Sequence, residues 1–179
     1  MRFIFFLLIP IVVYGQINFV DSNGLKQGNW QLFFPFNSDS IVSEEGVFVN
    51  NLEEGTWLRY HENGQLREIS HYSQGELDGV RVSISKRGKL NEQEFYKEGQ
   101  HNGRQMYFHD NGKVNIEVFY ALGIKQGVYS KYYRNGKIQE TCNYVNGYKD
   151  GLASWYFDNE VISIQYTYET GVIVDTAFA

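Results

Sequence analysis

The sequence predicts an all-β protein: an extended, twisted antiparallel sheet of about six consecutive β-hairpins, each written by a 24-residue repeat. Two observations carry this. Glycine returns every 24 residues at Gly55, Gly79, Gly103, Gly127 and Gly151, and each opens a fresh copy of one pattern; a fixed period of this length is the mark of a repeat architecture. Composition agrees: Tyr, Phe and Trp supply 17% of the chain and there are 18 glycines, while proline is limited to Pro10 and Pro35, a mixture suited to strands and tight turns. A repeat array grows by stacking, so 179 residues here count repeats rather than globular domains.

In chain order, residues 1–15 carry Arg2, an apolar run from Phe3 to Val13 and then Tyr14-Gly15, the layout of a secretory signal peptide. The run is shorter than the roughly 20 residues that a spanning helix needs. The expectation is export, to a periplasm or the cell exterior, with cleavage before Gln16 and residues 16–179 forming the array. Removing Arg2 would take the formal charge from -5 to -6.

From Gly24 the turns begin. Gly24 and Gly28 match the pairs Gly75/Gly79, Gly99/Gly103, Gly123/Gly127 and Gly147/Gly151, with Asn51 standing in for the first glycine before Gly55. Aromatic strands rather than helices follow each pair, so these are turns and not phosphate loops. The second turn of each unit is Asn63-Gly64, Arg87-Gly88, Asn111-Gly112, Asn135-Gly136 and Asn159-Glu160, and Asn-Gly between strand-like segments is a strong hairpin signal. The first unit is stretched to 27 residues between Gly28 and Gly55, which places a longer loop around Pro35 to Ser40.

Three columns recur between the turns, counted from each opening glycine. Position eleven is aliphatic: Val42, Leu66, Leu90, Val114, Ile138 and Ile162. Position seventeen is aromatic: Phe48, Tyr72, Tyr96, Tyr120, Tyr144 and Tyr168. The even spacing between them predicts one shared face and a continuous buried stripe, joined by Phe33, Tyr60, Ile84, Phe108, Tyr132 and Tyr156 at position five. Position two instead varies, from Trp30 and Trp57 through Arg81, Gln105 and Tyr129 to Ala153. That variation marks Trp30, Trp57 and Tyr129 as candidate partner contacts, exposed Trp and Tyr being common interface anchors, while position seventeen is expected to be core. The last unit is degenerate, with Asp175 where a glycine would fall, as suits a capping repeat.

No residue group points to catalysis. Glu44, Glu68, Glu92 and Glu140 recur with the repeat at position thirteen and read as rungs of hydrogen bonds or ion pairs. An active site would single out one pair of carboxylates. His61 and His109 stand two repeats apart, about 19 Å at the usual strand spacing, too far to share a metal ion. Cys142 is the only cysteine and sits in a predicted strand, so no internal disulfide forms. No catalytic residue, metal or cofactor is expected. The acidic balance without a Lys/Arg stripe argues against nucleic acid.

The pattern G-x-W-x-x-Y-x-x-N-G-x-L-x-x-E-x-x-Y-x-x-G-x-x-x-G, complete from Gly55 to Gly79, resembles the variant MORN repeat of bacterial proteins, including those labelled YwqK-family antitoxins. Gly127 to Gly151 follows it closely through Tyr129, Tyr132, Asn135, Gly136, Ile138, Glu140, Tyr144 and Gly147. The segment from Gly79 has Arg81 and Arg87 in place of Trp and Asn, and the one from Gly103 has Gln105 and Ile116 in place of Trp and Glu. The resemblance implies consecutive hairpins in one sheet and a scaffolding, membrane-associated or partner-binding role, with no catalytic residue to carry over. The expected function is a non-enzymatic, exported protein-binding or scaffold module. An antitoxin and a carbohydrate or cell-envelope surface binder are the competing readings, and a signal segment separates the chain from a cytoplasmic toxin. Another protein is the expected partner; no transmembrane span is expected, and contact with a membrane surface stays open.

Overall fold

The computed structural model describes residues 16–35 and 41–178. The signal segment expected over residues 1–15 lies outside the described residues, as does most of the expected long loop, residues 36–40. Among the described residues there is no helix, and the strands form one antiparallel sheet built in chain order.

The strands are β1 (Phe19–Val20), β2 (Lys26–Phe33), β3 (Val42–Val49), β4 (Leu52–Tyr60), β5 (Leu66–Ser73), β6 (Glu76–Ile84), β7 (Leu90–Lys97), β8 (Gln100–His101), β9 (Gly103–Phe108), β10 (Val114–Ala121), β11 (Ile124–Lys125), β12 (Gly127–Tyr132), β13 (Ile138–Val145), β14 (Tyr148–Lys149), β15 (Gly151–Tyr156), β16 (Ile162–Glu169) and β17 (Val172–Phe178). The two-residue strands β8, β11 and β14 begin hairpin legs that continue as β9, β12 and β15. Each leg pairs with the legs before and after it, as in Gly55↔Tyr72 between β4 and β5 and Glu68↔Ser83 between β5 and β6.

Two turn types alternate. At Gln74-Gly75 both residues have positive φ, 51° and 83°, and Ser73 pairs with Glu76 around them. This is the two-residue type I′ hairpin whose twist matches that of the strands. At the other end His61 N–H donates to Gln65 O (2.8 Å) and Gly64 N–H to His61 O (2.8 Å), a three-residue loop closed by a glycine at φ 79°. Asn63 belongs there because its Oδ1 accepts from Gln65 N–H (3.1 Å), and Asn111, Asn135 and Asn159 repeat that bond.

The expected shared face of positions eleven and seventeen is corrected by a bulge. Arg59 pairs with Glu68, but its neighbour Tyr60 pairs with Leu66, leaving Arg67 as the extra residue. The same slip occurs between Ser83 and Ile84, Lys131 and Tyr132, and Trp155 and Tyr156. One extra residue reverses the parity of everything beyond it. Positions five and eleven therefore line one face of the sheet. Positions two, four, thirteen, fifteen, seventeen and twenty-two line the other, called here the charged face.

Burial follows from having a single layer. Ten described residues are buried, and seven of them stand at positions two or fifteen: Trp57, Ser70, Glu94, Gln105, Val118, Cys142 and Ala153. These positions pair directly across neighbouring legs, as Trp57↔Ser70, Arg81↔Glu94, Gln105↔Val118, Tyr129↔Cys142 and Ala153↔Tyr166. Large meets small, or cation meets anion, so the closed column keeps a roughly constant filling although neither position keeps its residue.

Candidate functional site

The charged face brings together most of the ion pairs among the described residues. Its centre is Arg59 on β4, reached from both sides by the carboxylates of flanking strands. Its Nε donates to Glu44 Oε2 (3.0 Å), Nη1 to Glu68 Oε1 (2.9 Å) and Tyr72 Oη (3.0 Å), and Nη2 to Glu53 Oε1 (2.8 Å). Arg81 on β6 continues the row, donating to Glu68 Oε2 (2.7 Å), Glu92 Oε2 (3.1 Å) and Glu94 Oε2 (2.6 Å). Glu94, 4% exposed, also accepts from Tyr96 Oη (3.0 Å) and Tyr107 Oη (2.9 Å). His101 Nε2 lies 2.8 Å from Tyr96 Oη and 3.3 Å from Glu94 Oε1. Five glutamates surround two arginines, leaving this part of the face with an excess of three negative charges when all are ionised.

The electrostatics follow from that packing. Burial pushes the Glu68 carboxyl up, but hydrogen bonds from Ser70, Arg81 and Arg59 outweigh it and hold the group below the usual carboxylate range. Glu94 behaves alike: burial opposes its charge, and Arg81, Tyr107 and Tyr96 overcome it. Glu53, which meets only one arm of Arg59, is raised by burial. Burial first, then the Glu94 charge, lifts the Tyr96 hydroxyl to about 12.

Farther along the same face the cations sit over rings. Lys125 Nζ lies 5.0 Å from the Tyr144 centroid and 6.0 Å from that of Tyr129. Lys149 Nζ lies 4.9 Å from Trp155 and 5.5 Å from Tyr168, and donates to Glu140 Oε1 (3.0 Å). At the other end Lys26 Nζ stands 4.9 Å from Trp30 and 4.6 Å from Phe48. All three lysines occupy position twenty-two, where His101 packs between the rings of Tyr96 and Tyr120.

Trp57, expected as a partner contact, is 1% exposed. Its indole lies over Gly46, whose lack of a Cβ makes the room, stands edge-on to Phe48 at 4.8 Å, and donates Nε1–H to Val47 O (3.1 Å). It is core, because Gly46 and Ser70 on the flanking strands are too small to fill the space themselves. Trp30 and Tyr129 are half-buried on the same face. The position-seventeen residues, expected as core, divide: Phe48 is buried, whereas Tyr72, Tyr96, Tyr120, Tyr144 and Tyr168 are half-buried. Among the described residues no second layer covers their hydroxyl ends. Glu44, Glu68, Glu92 and Glu140 do form rungs, each paired with Arg59, Arg81 or Lys149. Cys142 is buried and its thiol is pushed up by that burial. Among the described residues no group of three or more His, Cys, Asp or Glu side chains could hold a metal ion, and no helix is long and apolar enough to cross a membrane.

Position twenty-three escaped the sequence reading. Gln27, Glu54, Asn102, Gln126 and Asp150 each turn a side-chain oxygen to a backbone N–H in the type I′ turn of the following unit, at Asn50, Gln74, Leu122, Asn146 and Thr170. Beside each of these bonds a second tie runs between turns, as in Gly75 N–H to Glu53 O (2.9 Å) and Gly123 N–H to His101 O (2.8 Å). His61 and His109 serve the opposite edge: Nε2 of each lies 2.9 Å from the backbone oxygen of Ile84 and Tyr132 in the next unit. The readable signal was an acceptor side chain directly before every opening glycine, Asp78 included.

This arrangement defines a class: a single-sheet hairpin repeat protein with one charged face and one largely uncharged face. Within that class, residues 53–74, 102–121 and 125–146 match the family model described as MORN repeat variant. No curated protein matches the chain.

Proposed function

We propose that the chain is a non-enzymatic, exported binding module that presents its charged face to a protein partner. One observation carries the reading: apart from the buried Trp57, the tyrosines and tryptophans of that face are only half-buried, and lysine or arginine groups lie over several of them with no second layer above among the described residues. Such surfaces combine large apolar contact area with charges that set partner and register. Trp30, Tyr129 and Trp155 are the aromatic contacts, and Trp57 reaches Trp30 only through Phe48, which packs edge-on to both. The non-enzymatic reading is supported by the carboxylates, each of which is engaged by a basic group in a repeating row rather than set apart in a cleft. Export rests on residues 1–15.

Photo-crosslinking tests the reading. A photoreactive phenylalanine at Tyr168 or Tyr129 is expected to capture a discrete envelope protein, while the same probe at the edge residue Lys86 captures none. Equal capture from both positions would sink the assignment of the charged face. Intact-mass measurement on the protein recovered from cells checks export: a chain beginning at Gln16 is expected, and an intact N-terminus on a cytoplasmic protein overturns it.

A further inference from the structure

We infer that the face opposite the charged one is a self-association surface, on which two copies of this chain pack face to face into a two-layer sandwich. The first ground is chemistry. Across the six repeats the middle of this face is built from positions one, three, five, eleven, fourteen and sixteen, and only Glu45, Arg104 and Glu117 among them are Asp, Glu, Lys or Arg, against twelve such residues on the charged face. Lys97 and Glu169 at position eighteen and Glu76 at position twenty-one add charge at the rim of the self-association face, beside the type I′ turns. Arg104 and Glu117 pair with each other (2.5 Å). Glu45 accepts from Gln31 Nε2 (2.9 Å) and from the Tyr60 hydroxyl. Among the described residues the middle of this face in the six repeats therefore presents no carboxylate or guanidinium without a partner.

Its apolar part is continuous. The bulge in every unit places positions five and eleven side by side, so Phe33 and Val42 begin a row that runs through Ile84 and Leu90 to Tyr156 and Ile162. Ile138 in that row is 38% exposed, and Val128 and Leu152 on the same face are 54% and 56% exposed. A soluble chain seldom leaves a contiguous apolar strip of this length open to water.

Area and period select a second copy as the occupant. Twelve legs at about 4.8 Å span roughly 55 Å, and the row of positions five and eleven together with the mixed row of positions three and fourteen beside it has a width of about 14 Å, giving about 750 Å² on each copy. Two such strips bury about 1,500 Å², the usual size of a stable protein interface. The ridges recur every two strands, about 9.6 Å, and another array with the same repeat meets that spacing in register along its whole length. A two-fold axis lying between the two sheets and parallel to the strands sets the first repeat of one copy against the sixth of the other, at the sheet separation of about 10 Å found in β-sandwiches. The charged faces then point outward on both sides. The inference concerns the face that the proposed partner does not use, so either can fail alone.

The test is sedimentation equilibrium on the purified protein at about 50 μM, above the micromolar end of the affinities seen for interfaces of this size. A dimer mass is expected. Val128→Glu and Ile138→Glu are expected to sediment as monomers, with the β-sheet circular dichroism of the parent showing that each remains folded. Lys131→Glu on the charged face is expected to remain dimeric. A monomeric parent, whether its open face meets water or is covered by residues 1–15, overturns the inference. So does a dimer that survives both substitutions on the apolar face, since it would then join through a sheet edge or the charged face.

Discussion

The second and third repeats and the fifth and sixth solve one problem in different ways. In the former, arginines inside the long strands, Arg59 and Arg81, stand among five glutamates, each arginine bonding three or more partners. In the latter, lysines from position twenty-two, Lys125 and Lys149, lie over tyrosine and tryptophan rings, and Glu140 is the carboxylate that pairs with Lys149. The planar guanidinium fork satisfies several carboxylates at once, which an ammonium on a flexible stem does not. The repeat thus fixes where charge is admitted on the face, and the neighbouring column decides which group supplies it. One end of the face is left acidic and the other basic.

That contrast can be broken most sharply at Arg81. Arg81→Ala leaves Glu92 and Glu94 without their arginine and Glu68 with Arg59 alone, and a loss of about 3–5 kcal/mol is expected in urea denaturation, the range for removing one member of a buried pair. Trp57→Ala is expected to cost a similar 3–5 kcal/mol or so by emptying the space above Gly46. A cost near zero would show the column to be slack. Gly46→Ala attacks the same contact from the opposite side, because its Cβ would fall inside the indole, and about 1–3 kcal/mol is expected. Lys149→Ala, by contrast, removes a cation from ring faces and a single part-buried ion pair, for which about 1–2 kcal/mol is expected. Equal losses at Arg81 and Lys149 would erase the distinction between the two regions.

Acid sharpens the comparison. Glu68 and Glu94 have carboxyls depressed in the folded chain, so their contribution is complete above the usual carboxylate value of 4.5 and is lost as pH falls through the lower folded value. Glu53 is raised and opposes this, being relieved by protonation. Thermal unfolding followed between neutral and acidic pH is expected to show stability falling on the acid side, and Glu94→Gln is expected to flatten that fall. A Glu94→Gln profile parallel to that of the parent would remove Glu94 from the account.

The hairpins, both turns and the glutamate rungs were legible because each is a local rule repeated along the chain, the glutamate in four of six copies. The face assignment of Leu66, Leu90 and Ile138 was not. Arg67 and its counterparts add one residue between positions eleven and thirteen, and a bulge leaves no mark on the spacing of side-chain types. Trp57 misled for a related reason. Read down one column, Trp30, Trp57, Arg81, Gln105, Tyr129 and Ala153 look unconstrained. Read with the residue each one faces, Trp57 with Ser70 or Ala153 with Tyr166, the sum is constrained and the member is free. Only the register supplies that pairing.

The ties between successive turns also decide how the array would bear load. Its backbone hydrogen bonds lie along the direction in which the repeats stack, so tension between the two ends opens the sheet from a terminal strand, bond after bond, instead of shearing a whole strand at once. Each tie from Gln126 to Asn146 N–H or from Asp150 to Thr170 N–H then acts as a stop at a turn boundary, releasing roughly 80 Å of chain per 24-residue unit before the next is met. The protein would lengthen in equal steps under tension, as a ratcheted tether does.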